Sequence, residues 1–208
     1  MKQTNANVCI IDYGSGNTGS VYNIFKSFHD SVKVSNDAED LKNATHLVLP
    51  GVGAFKAAME KILKIQTFDL LKDSVLNEKK PFLGICVGMQ VLASEGHEHC
   101  TCKGLGWIYG VVRKLESGWL SLPHVGWNNI KIKREDALVK DIGSGVDFYY
   151  VHSYRFEPKD KNDIIASTDY GEEFAAIVKK DNIYGMQFHP EKSQKAGIKL
   201  LKNFLDLQ

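Results

Sequence analysis

An open α/β fold, with a mixed, mainly parallel sheet carrying helices on both faces, is the class that the sequence predicts, on three observations. Between residues 45 and 94, apolar strand-like runs alternate with segments of helical apolar spacing, among them Ala57, Ala58, Ile62 and Leu63, then Leu70 and Leu71. Alternation of this kind implies a parallel sheet with covered faces. Within it, Phe82-Leu83-Gly84-Ile85-Cys86-Val87-Gly88-Met89-Gln90 reads as a strand that breaks at a Gly-x-Cys-x-Gly turn and resumes as a buried helix, the strand, sharp turn and helix of a nucleophile elbow. After Gly104, runs of strand character at 111–115, 127–133, 147–151, 164–168, 175–180 and 183–188 are expected as antiparallel strands that extend or flank the parallel part.

In chain order, residues 8–12 form the first expected strand, a helix is expected over about 20–29, and 32–34 the next strand. The third, Leu47-Val48-Leu49, runs into Pro50-Gly51-Val52-Gly53, and Gly197, Ile198, Leu200, Leu201, Phe204 and Leu205 keep helical spacing to close the fold. With 208 residues, no repeat and no long linker, one domain is expected over 1–208. Lys plus Arg number 26 against 25 Asp plus Glu, which gives no global electrostatic case for nucleic acid or an anionic membrane surface. The apolar run at Val8 is too short for a signal peptide or membrane span. Four unevenly placed cysteines do not resemble a disulfide framework. A cytoplasmic protein acting on small molecules or on a protein partner is expected.

Chemistry concentrates at Cys86. Flanking glycines permit a strained turn and close backbone approach, and the partial positive charge of a helix start favours thiolate, the attacking species. A buried cysteine in a glycine-rich turn fits the same residues. The distant segment Gln187-Phe188-His189-Pro190-Glu191-Lys192 tips the balance, because it delivers a base and a carboxylate two residues apart to a strand end. The period of two would put both on one face, with Pro190 stiffening the link, so Glu191 is expected to orient His189. Cys86, His189 and Glu191 then form a triad, a constellation recognised by roles and not by sequence position. The turn Gly51-Val52-Gly53, with the N–H of Val87, is placed to supply oxyanion donors for acyl transfer, and Gln90, one helical turn past the nucleophile, can face the pocket.

Two local patterns compete with this chemistry. Gly14, Gly16 and Gly19 satisfy Gly-x-Gly-x-x-Gly, with Asp37 and Glu39 near the spacing of a ribose-binding carboxylate. The same sheet edge also carries the elbow, however, so no cofactor is expected. In the loop Glu95-Gly96-His97-Glu98-His99-Cys100-Thr101-Cys102 the Cys-x-Cys beside His-x-His is too cramped for a structural zinc site, and no metal is expected.

Pro50-Gly51-Val52-Gly53, Gly84-Ile85-Cys86-Val87-Gly88-Met89-Gln90, Pro123-His124-Val125-Gly126-Trp127-Asn128, Val151-His152-Ser153-Tyr154 and Gln187-Phe188-His189-Pro190-Glu191-Lys192-Ser193 occur together and in order. The chain thereby resembles the class I glutamine amidotransferases, and within them the glutaminase subunits that serve imidazole glycerol phosphate synthesis. A paralogous group serving amidation of N-acetyl sugars for surface polysaccharides is the alternative. The resemblance implies a glutaminase that works through a cysteine thioester and passes ammonia to a separate synthase, a (β/α)8 cyclase, in a heterodimer. It further implies that the turn at Ser153 and Tyr154 holds the α-carboxylate and amino group of glutamine, and that Gln90 bonds the substrate. Asn17, Trp127 and Lys192 are implied at the partner interface, against the plainer readings of a helix cap, a core aromatic and a solvated lysine. The chain departs from the resembled subunits in the His/Cys loop, which puts in doubt the match of Glu95 to a residue near the substrate's amino group.

Overall fold

The computed structural model describes residues 5–14 and 17–208. Gly16 of the glycine fingerprint and residues 1–4 lie outside them. The elements run β1 (Val8–Ile11), α1 (Thr18–Lys26), β2 (Val32–Ser35), α2 (Ala38–Asn43), β3 (His46–Gly51), α3 (Phe55–Ile62), α4 (Phe68–Leu76), β4 (Phe82–Cys86) and α5 (Val87–Gln90). There follow β5 (Glu95–Gly96), β6 (Cys102–Lys103), β7 (Gly110–Lys114), β8 (His124–Asn129), β9 (Lys131–Ile132), β10 (Asp147–His152), β11 (Tyr154–Pro158), β12 (Ile164–Asp169), β13 (Glu173–Lys180), β14 (Ile183–Met186) and α6 (Gln194–Leu205).

Among the described residues the main sheet has the order β2-β1-β3-β4-β14-β13-β12-β9. Its first five strands are parallel and the rest antiparallel, so the mixed, mainly parallel α/β class is the one observed. Buried on both faces, the parallel strands need no polar alternation, which is why Leu47, Val48, Leu49, Phe82, Leu83 and Ile85 are all fully buried. Strand order reverses between β1 and β3, and the turns after β1, β3 and β4 meet at the carboxyl edge, where open α/β sheets bind ligands.

Three expectations change. The run 183–188, grouped with the antiparallel candidates, is parallel to β4. The two-residue turn at Asp181, with φ 53, reverses the chain after β13 and sends β14 back alongside the elbow strand. The helix after Cys86 is only four residues long. Gly104 and Leu105 donate to the Ser94 and Val91 carbonyls, and the chain leaves the helix for β5. Finally, β11 went unanticipated; it pairs with β7 in a smaller sheet, while β8 and β10 form a two-stranded ribbon that carries Trp127 and His152.

Candidate active site

Cys86 ends β4 at φ 55, ψ −111, a conformation that costs roughly 1–3 kcal/mol for a residue with a Cβ. Tight packing holds it there. A Cβ on Gly84 would lie 2.4 Å from the Gly88 carbonyl oxygen, and one on Gly88 only 1.8 Å from that of Leu49. The flanking glycines therefore let the turn fold back against β3 and β4. Cys86 is 3% exposed, its sulfur 3.9 Å from the Val151 carbonyl oxygen.

Strand periodicity does not bring Glu191 to His189, as the sequence suggested; a 3-10 turn over Pro190–Lys192 does. His189 Nδ1 donates to Glu191 Oε1 at 2.7 Å, and Asn17 Nδ2 donates to the same oxygen at 2.7 Å. The Ser193 hydroxyl donates to the His189 carbonyl at 2.7 Å and accepts from Tyr149 N at 3.0 Å, tying the turn to β10. Gly197 makes room for this turn, since a Cβ there would lie 1.9 Å from Pro190 O. Burial alone would lower the His189 pKa, yet hydrogen bonding to Cys86 and Glu191, together with their charges, pushes it up to about 10. Burial alone would raise that of Glu191, yet His189 and Asn17 hold it below the usual range. His189 thus holds Glu191 through Nδ1, and His189 and Cys86 border the same cleft.

This cleft, of about 290 Å³, is also lined by Val52, Gly53, Val87, Gln90, Ser153 and Tyr154. Gly51 does not line it. Its place is beside Cys86 in the β3–β4 ladder, where a Cβ would meet Gly88 N at 2.7 Å, so close packing explains this glycine. Glu98 lines the cleft, and Glu95 does not. The carboxylate of Glu98 accepts from Phe55 N at the start of α3 at 2.7 Å, whereas Glu95 pairs with His97 at 2.9 Å. Asn17 is buried with its amide on Glu191 and makes no side-chain cap, so in this chain it is a ligand of the carboxylate and not an open surface group. Trp127 is 48% exposed and packs edge-on against Tyr149. Lys192 is exposed at the cleft rim, its Nζ 5.8 Å from the Tyr149 ring centre.

The class I glutamine amidotransferase profile matches residues 9–207. The chain belongs to this family. It is 43% identical over 207 residues to imidazole glycerol phosphate synthase subunit HisH of Pelagibacter ubique, covering 97% of this chain and all of that one. It is also 43% identical over 201 residues to the corresponding subunit of Campylobacter jejuni, covering 96% of this chain and all of the relative. The fold is similar to that of PurLQS from Thermotoga maritima, with a TM-score of 0.72, 19% identity, and coverage of 97% of this chain and 98% of that one.

Two histidines from the quoted motifs, His124 and His152, form a buried pair at the amidotransferase cleft, with His152 in its lining. His152 Nδ1 lies 2.9 Å from the Tyr154 carbonyl oxygen, which only accepts, so Nδ1 carries the proton. The neutral ring then accepts at Nε2 from His124 Nδ1, 3.1 Å away, and Asn128 Nδ2 closes the chain on His124 Nε2 at 3.3 Å. Burial pushes His152 down to about 3 and His124 to about 4, and buried His46 also falls to about 4. Unfolded histidine titrates near 6.5. Between about pH 6.5 and 4 the unfolded chain therefore binds protons that these three folded sites refuse, so stability falls as pH drops through that window. His189 acts oppositely: its stabilisation is complete below about 6.5 and is lost as pH rises through 10. Three groups outweigh one, and urea midpoints are expected to be lower at pH 5 than at pH 7, with a smaller difference in His124→Gln. Equal differences in the two proteins would clear this pair of responsibility.

Glu98, Gln187 and the part of the Tyr154 carbonyl as acceptor for Gln90 and His152 are the site features without a sequence expectation. The signal for Glu98 lay in a loop whose spacing departs from the resembled subunits. A backbone carbonyl has no signal in residue types at all.

Proposed function

We propose that this chain is the glutaminase subunit of an imidazole glycerol phosphate synthase. It would hydrolyse glutamine through a Cys86 thioester and hand the ammonia to a separate (β/α)8 cyclase, with which it forms a cytoplasmic heterodimer in histidine biosynthesis. The observation that carries the reading is the buried pair of Cys86 and His189 on one cleft, with Glu191 bonded to the far histidine nitrogen Nδ1, in a chain 43% identical over nearly its whole length to named subunits of that synthase. Those names favour this partner over the sugar amidotransferase. The profile match over 9–207 supports one amidotransferase domain.

In this mechanism the Cys86 thiolate attacks the side-chain amide carbon of glutamine, and the N–H groups of Val87 and of the Val52–Gly53 turn receive the oxyanion. Loss of one such donor typically costs about 2.7–4 kcal/mol of transition-state stabilisation. His189 gives its proton to the departing nitrogen, the C–N bond breaks, and the thioester remains. The neutral imidazole then takes a proton from water as water attacks the thioester, releasing glutamate and regenerating thiol and imidazole between them. Glu191, held by Asn17, keeps the ring in the tautomer with Nδ1 protonated. Glu98 is the carboxylate lining the cleft and suits the α-amino group of the substrate; the backbone at Ser153 and Tyr154 receives the α-carboxylate side.

Ammonia released into water at neutral pH is protonated and ceases to be a nucleophile, so its use requires a docked acceptor site. The exposed Val125 and Trp127, with Lys192 at the cleft rim, form the face proposed for that contact. The test is glutaminase activity of the chain alone and with the cyclase and its ligand. A rise of at least about tenfold, equal to about 1.4 kcal/mol of barrier, is expected with the cyclase; a rise only with a sugar-amidating synthase would reassign the partner.

A further inference from the structure

Gln187, two residues ahead of His189, is fully buried and is placed between the nucleophile and the floor of the cleft. Its Nε2 lies 3.8 Å from Cys86 Sγ, and its Oε1 accepts from Gln90 Nε2 at 3.1 Å. The other N–H of Gln90 donates to the Tyr154 carbonyl oxygen at 2.9 Å. The backbone carbonyl sets the polarity of the whole chain. Because it only accepts, Gln90 must turn its amide nitrogen toward it, and so meets Gln187 with a second donor. Gln187 must answer with its carbonyl oxygen, which leaves its own N–H for the sulfur. Flipping either amide would set like groups face to face away from water, the arrangement that buried polar networks avoid. His152 Nδ1 takes the remaining acceptor capacity of Tyr154 O, so the anchor is held from both sides.

We infer that Gln187 is a further catalytic residue: its amide N–H favours the anionic form of the Cys86 sulfur, and its carbonyl turns the Gln90 side-chain oxygen into the cleft as an acceptor. An N–H donated to a group that gains negative charge favours the charged form. With both N–H groups of Gln90 engaged, only Oε1 is left for a ligand. That atom accepts from the –NH2 of an amide and repels a carboxylate, so the same residue favours substrate glutamine over product glutamate. This inference rests on Cys86 being the nucleophile.

The test is the pH dependence of Cys86 alkylation by iodoacetamide in the full chain, followed by peptide mass spectrometry, for the natural protein, Gln187→Glu and Gln187→Met. Gln187→Glu keeps an acceptor for Gln90 but sets a carboxylate oxygen against the sulfur, and Gln187→Met removes both contacts. Glu98, His152, Tyr154, His189 and Lys192 line the cleft around the sulfur, with Glu191 behind His189, and all are unchanged in both variants. At neutral pH alkylation is expected to slow at least about tenfold in both, with the profile moved to higher pH and farthest in Gln187→Glu. In complexes that retain ammonium-driven synthesis, inhibition by glutamate is expected to strengthen in Gln187→Met, where Gln90 loses its orienting partner, and to stay near the natural level in Gln187→Glu, which keeps that acceptor. A Gln187→Glu protein with the natural rate and profile would overturn the inference while leaving the nucleophile assignment intact. Failure of Cys86 to be labelled selectively in the natural protein would overturn the assignment itself. Should neither variant fold, the Gln187 side-chain amide proton in the natural protein decides: a downfield shift on thiol ionisation is expected, and an unmoved resonance overturns the proposal.

Discussion

Cys86→Ala is expected to abolish glutamine-driven synthesis by the complex, by roughly 10⁴-fold or more, the scale on which loss of a triad nucleophile is felt, while synthesis from added ammonium salts proceeds as before. The two outcomes separate because, in the proposed mechanism, the sulfur serves only the glutaminase half. It is 3% exposed and reached through the cleft, and ammonium can enter the acceptor reaction downstream of it. Alanine introduces no atom at the elbow beyond those cysteine already has, so φ 55 is no more strained than before. Steady-state rates with each nitrogen source, on the same preparation, read both numbers. Loss of ammonium-driven synthesis as well would mean that the elbow cysteine holds the structure or the interface together.

Gly88→Ala is expected to destabilise the chain by about 3 kcal/mol or more, at the upper end of overpacking costs. The new Cβ would sit 1.8 Å from the Leu49 carbonyl oxygen and 2.9 Å from its carbon. Both belong to backbone in β3, which is locked between β1 and β4, so no side-chain rotation relieves the contact. Gly14→Ala is the control. That glycine has φ +78, but no atom of the described residues lies within 4 Å of its Cβ position, so only the left-handed backbone is penalised, by about 1–2 kcal/mol. Urea denaturation of both variants measures the contrast; equal losses would show that conformation, and not close approach, is what these motif glycines supply.

The same contrast shows how motif glycines that look alike in sequence differ in the folded chain. Gly51, expected with Val52, Gly53 and Val87 to supply oxyanion donors, packs in the ladder beside Cys86, while Val52 and Gly53 line the cleft. Asn17 was expected at a partner surface and instead holds Glu191, a contact across 174 positions that no local pattern encodes. Glu98 rather than Glu95 faces the cleft because a short hairpin, β5 with β6, turns the loop back over α3.

Residue order alone determined the strand–turn–helix at Cys86, the His-Pro-Glu segment and the alternating fold class, because each rests on local sterics and on apolar periodicity within a few residues. Only the tertiary structure decided which N–H, carbonyl or carboxylate each of these groups meets: Asn17 on Glu191, Gln187 between Gln90 and Cys86, His152 on Tyr154. Hydrogen-bond partners over such separations depend on register, turn geometry and the close approach of strands, and these exist only once the whole sheet has assembled.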